Sequence, residues 1–399
     1  MIVRRDHYLK MLADFKDEPL VKIITGMRRC GKSTLMEMFM ADLKDSGISE
    51  KSIMYMNFED PKNAHVTDGD ILLKEVMAAT DLKKGTYLFF DEVQDVKGWE
   101  KAINSMRYSG ADVYITGSNA KLLVSDFSTY LSGRYVEIEM YPLSFREYIK
   151  FFDDEKDING LLFDYMLYGG LPYITKERKS ERNTDRVFSA IFNTVFIKDV
   201  VEKNNVRDVA TLRNITRFVM KNIGNLTSAR SMSNYVTSKG GKISPPTADA
   251  YLGHLEDAYL IYRARKYDVK KKEYLRTSNK FYVSDLGVGN SIVGYGDDDI
   301  SGMIENIVFM ELLFRGKKVA VGSINGNEID FIVLDKDKRE YYQVTTEMLD
   351  PAVKEREKRS LNMIPDNHPK TIITLQPYPF KDINGIRVVA LADFLLEGF

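Results

Sequence analysis

The chain has 399 residues, of which 44% are hydrophobic and 29% charged, and its formal net charge is −1. This length exceeds what one hydrophobic core usually supports, so roughly two to four domains are expected. Cys30 is the single cysteine, which excludes an intrachain disulfide, and the four histidines lie too far apart in sequence to indicate a zinc site. No apolar run reaches the roughly 18 residues that span a bilayer, and we expect a cytoplasmic protein with no membrane partner.

The first part of the chain alternates apolar strand patterns with amphipathic helix patterns. Strands that alternate with helices in this way predict a parallel sheet with helices on both faces. The predicted strands are 20–25, 52–60, 86–94, 111–120 and 135–144, and the helices between them are 6–16, 35–47, 70–80 and 99–110.

The pattern changes after Pro142. Residues 144–204 read as helices interrupted by a GGLP turn, and 206–280 are helical again before a basic, strand-like tail. Beyond 280 strands and helices are mixed, with predicted strands at 327–335 and 340–347. The sequence therefore predicts further domains of a different kind behind the first one.

A glycine-rich phosphate loop follows the first predicted strand. The pattern G-x-x-x-x-G-K-[ST] is formed by Gly26, Gly31, Lys32 and Ser33. The glycines allow backbone N–H groups to point at phosphate oxygens, Lys32 would reach the outer phosphates, and Ser33 would ligate Mg²⁺. A chance match is the alternative, but the flanking strand and helix disfavour it. We predict ATP with Mg²⁺, although the loop does not exclude GTP. The predicted nucleotide-contacting residues are Gly26, Met27, Arg28, Arg29, Cys30, Gly31, Lys32, Ser33 and Thr34.

Two other strands end in polar residues that suit hydrolysis. The run YLFFDEVQ places Asp91 and Glu92 at a strand end, where Asp91 would hold the Mg²⁺ shell and Glu92 would act on the attacking water. A surface acidic pair is the alternative. Asn119, in YITGSNA, would orient that water, although Gly, Ser and Asn also form plain turns. We predict Glu92 and Asn119 as catalytic residues.

Arg134 and Cys30 are the more open predictions. Arg134 precedes the fifth predicted strand and could stabilise phosphate charge across a subunit interface, or be a surface arginine. Cys30 lies within the loop of N–H donors, where a depressed thiol pKa would make it reactive, so its alkylation could block nucleotide entry. The favoured interpretation is an inert cysteine at a variable loop position.

The order of these motifs, GMRRCGKST, LFFDEVQ, TGSNA, SGRY, YPLSFREY and YGGLP, resembles AAA-type ATPases of bacteria and archaea that carry a C-terminal domain of unknown function. The resemblance implies a helical lid, which fits 143–205, and we find no convincing second-sensor arginine. It also implies the following roles: Lys32 and Ser33 as Walker A, Asp91 and Glu92 as Walker B, Asn119 as sensor 1 and Arg134 as an arginine finger.

Residues 206–280 resemble a winged-helix domain. The segment SARSMSNYVTSKG is followed by a second helix and by a basic wing, KYDVKKKEYLR. Fifteen Lys and Arg against six Asp and Glu leave an excess of +9, which favours double-stranded DNA as a partner. Contacts with a protein are an equal alternative.

The C-terminal segment resembles the PD-(D/E)xK nuclease layout. Glu305, Glu328 and Asp330 match acidic positions, but Gln343 and Thr345 stand where an acid and the lysine are expected. Since that chemistry needs several carboxylates and a lysine, we predict a nuclease-like fold without activity. Whether Glu305 and Asp330 still bind metal stays open.

The predicted protein is thus a multidomain α/β ATPase that turns ATP hydrolysis into a conformational change. Double-stranded DNA, a second copy of the chain and another protein are the partners that the sequence leaves open. A slow nucleotide-gated switch or scaffold and an ATP-regulated nuclease are the alternatives. The predicted domains are an AAA-type P-loop parallel sheet at 1–142, a helical lid at 143–205, a winged helix at 206–280 and a degenerate α/β restriction-endonuclease-like domain at 281–399.

Overall fold

The computed structural model describes residues 2–119, 133–152, 157–177, 181–294, 300–336 and 338–398. These fall into two compact units. The first unit comprises Met1–Tyr141 with Asp257–Tyr259, and the second comprises Pro142–Glu256 with Leu260–Phe399. The division between 141 and 142 lies beside the predicted end of the first domain.

The first unit is built on a five-stranded parallel sheet in the order β2-β3-β4-β1-β5. Every residue of β1, β3 and β4 is buried, as their continuous apolar runs predict for strands covered on both faces. The predicted α/β class with a parallel sheet is confirmed. The strands are β1 Val21–Thr25, β2 Ile53–Asn57, β3 Tyr87–Asp91, β4 Asp112–Thr116 and β5 Tyr135–Glu139.

Helices follow the strands of the first unit. The side chain of Asp68 caps α3 by accepting the N–H groups of Asp70 and Ile71, and Leu72 and Val76 bury the apolar face of that helix. These contacts join the strand residues Leu88 and Ile115 in one core. The helices are α1 Asp6–Asp14, α2 Lys32–Asp45, α3 Gly69–Ala79 and α4 Trp99–Tyr108.

The strand order determines which loops meet. Strand β4 lies between β1 and β3, with Thr116 opposite Ile24 on one side and Ile115 opposite Phe90 on the other. Because all these strands are parallel, their carboxyl ends share one edge of the sheet. The loops after β1, β3 and β4 are therefore neighbours.

The second unit begins with helices. The described part of the segment predicted as a lid contributes four of them. Asp285 and Asn290 bind the backbone of this segment at Gly170 and Met166. Through these contacts the segment belongs to the second unit. The helices of the second unit are α5 Phe145–Ile149, α6 Ile158–Tyr168, α7 Pro172–Glu177, α8 Glu181–Thr194 with a π-helical continuation Val195–Glu202, α9 Val209–Lys221, α10 Ala229–Ser238, α11 Pro245–Asp257, α12 Leu286–Val293, α13 Ile300–Phe314, α14 Pro351–Asn362 and α15 Leu391–Leu396.

A mixed eight-stranded sheet forms the rest of this unit, in the order β12-β13-β11-β10-β9-β8-β6-β7. The order α10, α11, hairpin agrees with the winged-helix prediction, which stays a prediction. The predicted domain boundary at 280 lies inside β7, and the β6–β7 hairpin pairs with β8 in the same sheet. The strands are β6 Ile261–Asp268, β7 Glu273–Val283, β8 Val319–Ile324, β9 Asn327–Asp335, β10 Lys338–Thr345, β11 Lys370–Thr374, β12 Asp382–Ile383 and β13 Ile386–Ala390.

Within the part of the chain that the structure describes, every helix is too short or too polar to cross a bilayer.

Candidate functional site

The phosphate loop turns sharply between β1 and α2. Gly26, Arg29 and Gly31 have positive φ angles of 133°, 70° and 108°. A Cβ atom at Gly26 would lie 2.1 Å from the carbonyl oxygen of Met140, so only glycine fits there. The loop therefore has the backbone freedom that the sequence pattern predicts, and Gly26 also permits close packing against the chain after β5.

Helix α2 starts at Lys32, with Gly31 as its N-cap. The first N–H groups of an α-helix have no acceptor inside the helix, and the helix dipole is positive at this end. Ser33 and Thr34 lie in this first turn and are both partly exposed. The start of α2 is thus suited to bind an anion.

The loop residues between the glycines differ in their surroundings. Met27 is buried, whereas Arg29 is exposed. Arg28 pairs with Glu59, which follows β2, at 2.5 Å. Two of the predicted contact residues thus pack or pair within the protein, and Arg29 faces solvent.

Lys32 is buried, with 4% of its surface exposed. Its Nζ donates to the carbonyl oxygens of Gly26 at 3.0 Å and Met27 at 3.3 Å. The same ammonium lies 3.8 Å from Oε1 of Glu92. The structure therefore brings the predicted Walker A lysine and the predicted catalytic acid together across the end of the sheet.

Asp91 is the last residue of β3 and is 1% exposed. Its Oδ1 accepts the hydroxyl of Thr116, and its Oδ2 accepts the hydroxyl of Tyr55 at 3.0 Å. Burial and the charge of Asp91 raise the pKa of Tyr55, which keeps this hydroxyl a donor. Two neighbouring strands thus fix the carboxylate at the predicted metal position.

Glu92 has a left-handed backbone conformation, with φ 54° and ψ 45°. Such a conformation is unfavourable for a residue with a side chain, and it turns Glu92 away from the line of β3. Its N–H donates to Thr116 Oγ1 at 2.8 Å, and the Gln94 amide donates to its carboxylate. These contacts orient the carboxylate beside Lys32.

Asn119 follows β4 at the same edge and is 3% exposed. The N–H of Gly117 donates to the carbonyl of Ile24 at 3.1 Å, which joins the ends of β4 and β1. The structure therefore places Asn119 in the loop next to the phosphate loop. The residues beyond it, 120–132, lie outside the described part of the chain.

Arg134 lies at the opposite edge of the sheet. Its carbonyl accepts the N–H of Val21, the first residue of β1, whereas the phosphate loop follows Thr25. The strand between them is about 13 Å long at ~3.3 Å per residue. Arg134 is exposed. The pKa of the neighbouring Arg107 is lowered by burial and, to a lesser extent, by the positive charge of Arg134. It is not part of the site formed within one chain.

The hypothesis of a depressed thiol pKa at Cys30 is wrong, and the structure agrees with the inert cysteine that was the other interpretation. Cys30 is fully buried, and this burial raises the pKa of its thiol above the ordinary value. Arg5 donates to the carbonyl of Cys30 at 3.3 Å and to that of Tyr141 at 3.0 Å, which ties the loop to the chain after β5. Desolvation outweighs the nearby positive charges, so Cys30 packs as an apolar residue.

Thr116, Tyr55 and Gln94 contact the candidate site residues, and the sequence did not indicate these contacts. Thr116 binds both Asp91 and Glu92, Tyr55 binds Asp91, and Gln94 binds Glu92. Among the described residues, no donor reaches Oε1 of Gln94, although that atom is buried. The sequence signal that could have indicated these residues is their position, because each lies in or shortly after a strand of the sheet that carries the predicted site residues.

The three predicted nuclease-like acids also meet, within the second unit. Glu305, Glu328 and Asp330 all lie within 4 Å of Nζ of Lys280. Lys280 was not predicted at this position. The acids are therefore correctly grouped, but around an ammonium group of the chain itself.

Comparisons with known proteins show which families and relatives the chain resembles. A family model described as an AAA domain matches residues 18–149, and a domain of unknown function, DUF8612, matches 159–299. An uncharacterized protein of Haemophilus influenzae is 37% identical over 403 residues, which cover 99% of each chain. An uncharacterized protein of Methanocaldococcus jannaschii is 29% identical over 371 residues, which cover 89% of this chain and 80% of that protein.

A solved structure supports the same fold. The Walker-type ATPase of Pyrococcus abyssi is 16% identical to this chain, and the two structures superpose with a TM-score of 0.50. The matched region covers 73% of this chain and 96% of the Pyrococcus abyssi chain. This chain carries an AAA domain with the fold of a P-loop ATPase and belongs to the same family as the Haemophilus influenzae protein.

Proposed function

We propose that the chain binds ATP with Mg²⁺, hydrolyses it, and uses the cycle to drive a conformational change. The observation that carries this proposal is the meeting of Lys32 and Glu92, which lie 3.8 Å apart although they are distant in sequence. Both side chains are buried, so their charges act in a medium that screens weakly.

Binding would begin with an exchange of acceptors at Lys32. In the structure its ammonium donates to two neutral carbonyl oxygens of the loop. Phosphate oxygens carry negative charge and form stronger hydrogen bonds with an ammonium group than neutral carbonyls do. The N–H groups at the start of α2 would bind the same phosphates.

The donor set also fits Mg²⁺. This cation prefers oxygen ligands and is commonly held in proteins by one or two carboxylates together with substrate phosphates. The Ser33 hydroxyl and the Asp91 carboxylate would hold it, and when bound it would neutralise phosphate charge. Thr116 and Tyr55 keep Asp91 in place by binding both of its oxygens.

Hydrolysis would depend on Glu92 and Asn119. The carboxylate of Glu92 would accept a proton from the attacking water or orient it, and the Asn119 amide would hold the same water. The left-handed backbone at Glu92 supports this role, because strained conformations of this kind cluster at active sites.

The test uses two variants and one control. Lys32→Ala should lose ATP binding in a calorimetric titration with ATP in the presence of Mg²⁺. Glu92→Gln should still bind ATP but hydrolyse it at least about a hundredfold more slowly than wild type. Lys44→Ala is the matched control, because Lys44 lies on the same helix, exposed and paired with Glu50. Equal ATP binding by Lys32→Ala and wild type would overturn the proposal.

The same Glu92→Gln variant distinguishes a motor from a nucleotide-gated switch. A motor needs repeated turnover, so the variant should lose output although it binds ATP. A switch needs only occupancy, so the variant should remain in the ATP-bound state and keep its partner. Measuring capture of a partner in ATP separates the two.

Binding of double-stranded DNA is a second proposed property, and its proposed surface includes part of the predicted basic wing, KYDVKKKEYLR. Helix α11, the second helix of the predicted winged-helix domain, contains no Lys or Arg. Arg263 pairs with Asp249 at 2.9 Å and Glu256 at 2.7 Å, and Lys280 is buried. Part of the +9 excess is therefore neutralised inside the protein.

A basic groove of about 470 Å³ in the same unit suits DNA binding better than helix α11 does. Lys270 and Lys272 from the β6–β7 turn, Lys336 from the β9–β10 turn, and Arg339 line it, together with the acid Asp366. Positive groups from two separate turns suit the closely spaced phosphates of a nucleic acid backbone.

The DNA proposal is tested by charge reversal. Replacing Lys270 and Lys272 by Glu should weaken duplex binding and reduce its salt dependence, since each lost phosphate contact lowers the slope by about 1. The control variant carries Glu at Lys83 and Lys84, which are exposed in the first unit. Fluorescence anisotropy across salt concentrations measures both, and an equal loss in the two variants would contradict binding at the groove.

A further inference from the structure

A partly buried ion cluster lies in the second unit, away from the phosphate loop in sequence. We define it as the carboxylate cluster, made of Glu305 on α13 with Glu328 and Asp330 on β9. The ammonium of Lys280 on β7 lies among them, 2.8 Å from Glu305 Oε1, 2.7 Å from Glu328 Oε1 and 3.7 Å from Asp330 Oδ1. Only 4% of the Lys280 side chain is exposed.

Other groups complete the surroundings of this cluster. The hydroxyl of Tyr282 donates to Glu305, and the N–H of Val344 on β10 donates to Asp330 Oδ2 at 2.8 Å. Gly224 faces the Glu305 carboxyl, and a Cβ atom at Gly224 would lie 3.3 Å from it. Glu305 and Asp330 therefore each accept a hydrogen bond from a group on a different element, in addition to their contact with Lys280.

Electrostatics keep the lysine charged. Burial lowers the pKa of Lys280, but the three carboxylates raise it more, and the net pKa lies above the ordinary value. Burial, with the charge of Glu305, raises the pKa of Asp330. A permanent positive charge thus faces carboxylates that are costly to ionise without one.

A metal site would need these same oxygens. Divalent cations are held by two or three carboxylates that leave room for the ion. Here the ammonium lies within hydrogen-bond distance of two of the three acids, and among the described residues no group of three His, Cys, Asp or Glu side chains is arranged to hold a metal.

Gln343, which stands where the nuclease layout has a further acid, supplies no carboxylate to the cluster. Gln343 Oε1 lies 3.5 Å from the backbone nitrogen of Asp330 and 3.4 Å from the Ser360 hydroxyl. It therefore faces neighbours within the sheet and helix α14, and it adds no negative charge that would favour a divalent cation over an ammonium.

We propose that the ammonium of Lys280 takes the place of a divalent metal ion in the carboxylate cluster. The cation is thus built into the chain, and this unit holds its sheet and helix α13 together without metal. Removing the ammonium while keeping the rest of the side chain at nearly the same length, as in Lys280→Met, should leave space for a cation and turn the three carboxylates into a divalent-cation site.

The first test uses the intact wild-type chain without nucleotide. Mn²⁺ binding, followed by electron paramagnetic resonance after removal of bound metal with a chelator, should be unchanged by Asp330→Asn. A wild-type Mn²⁺ site that disappears in Asp330→Asn would overturn the proposal, as would DNA cleavage with Mn²⁺ that this variant loses. This test does not depend on ATP binding, so it fails separately from the proposed ATPase.

The second test compares three lysine variants. Lys280→Met should bind Mn²⁺ at least about tenfold more tightly than wild type, and its lowered thermal midpoint should rise when Mn²⁺ is added. Lys280→Arg keeps a cation in the cluster and should show no response to Mn²⁺. Lys317→Met is the matched control, because Lys317 pairs with Glu340 at 2.9 Å in the same unit but is partly exposed.

The outcomes are distinct. A Lys280→Met protein that folds but binds Mn²⁺ no better than Lys317→Met would contradict the proposal. If Lys280→Met does not fold in chelator, recovery of the fold with Mn²⁺ supports the proposal and failure to recover contradicts it.

Discussion

Thr116 and Asp91 are joined by a hydrogen bond from the threonine hydroxyl to Oδ1 of the carboxylate. The same hydroxyl oxygen accepts the backbone N–H of Glu92 at 2.8 Å. One side chain on β4 thus holds both acids that end β3. This contact links the proposed metal ligand to the proposed catalytic acid.

Thr116→Val should therefore lower kcat for ATP hydrolysis by about tenfold to a hundredfold, because a hydrogen bond to a charged group contributes about 1.5–3 kcal/mol. Valine has nearly the same shape, so the sheet should keep its fold. Steady-state hydrolysis and calorimetric ATP binding measure the effect, and binding should change less than kcat.

Thr86→Val is the matched control. Thr86 precedes β3 at the opposite edge of the sheet, where its hydroxyl donates to the carbonyl of Asp81 at 2.7 Å. This variant should keep the wild-type rate. The role of Thr116 is wrong if both variants lose the same activity.

Arg134 should act only across an interface between two copies of the chain. Arg134→Ala should lower the hydrolysis rate by about a thousandfold if it supplies an arginine finger. Lys32→Ala is inactive for a different reason, so a random mixture of the two variants should regain activity at up to roughly a quarter of its sites.

Arg107→Ala serves as the control, because Arg107 lies beside Arg134 at the same edge. Its mixture with Lys32→Ala should show no more activity than Arg107→Ala alone contributes. If the Arg134→Ala mixture stays inactive while the protein forms oligomers, Arg134 is a surface residue.

Cys30 should resist alkylation in the folded protein. The thiol is fully buried and burial raises its pKa, so little thiolate is exposed to the reagent. Mass spectrometry after treatment with iodoacetamide should show little labelling of the folded chain, with or without ATP. The urea-unfolded chain should label readily and serves as the control. Rapid labelling that ATP slows would instead support the reactive thiol.

Asp285 should make the second unit less stable as pH rises. Its carboxylate accepts the N–H groups of Gly170 at 2.7 Å and Val288 at 3.1 Å, yet burial raises its pKa from 3.8 to about 6. A raised folded-state pKa stabilises the fold below the unfolded value and loses that contribution as pH passes about 6. The stability advantage of wild type over Asp285→Asn should shrink by about 3 kcal/mol between about pH 4 and pH 7.

Urea unfolding followed by circular dichroism at several pH values measures this difference. Asp208→Asn provides a control of opposite sign, because the N–H of Thr211 lowers the pKa of Asp208. Wild type should gain stability relative to that variant as pH rises. Parallel pH profiles for the two variants would contradict the assignment to Asp285.

The phosphate loop was predictable because its parts are consecutive. Gly26, Gly31 and Lys32 lie in one loop, so residue types and spacing alone specify a backbone turn followed by a helix N-terminus. Asp91 and Glu92 were predictable because a buried apolar strand places its last residues at the carboxyl edge of a parallel sheet.

The partners of these acids were not predictable in the same way. Thr116 and Tyr55 reach Asp91 only because β4 and β2 flank β3 in a fixed register. Strand order depends on long-range packing, which the alternation of apolar residues does not specify. The hypothesis of a reactive Cys30 thiol failed for a related reason, because the burial that raises the pKa of this thiol depends on contacts from distant segments.

Short-range sequence patterns control turns, strands and helix starts, so they were enough to predict a parallel α/β unit that carries a phosphate loop with two acids nearby. Only the tertiary structure placed Arg134 at the far edge of the sheet and Lys280 among three carboxylates. Those positions follow from strand order and burial, where the cost of an uncompensated charge decides which distant groups must meet.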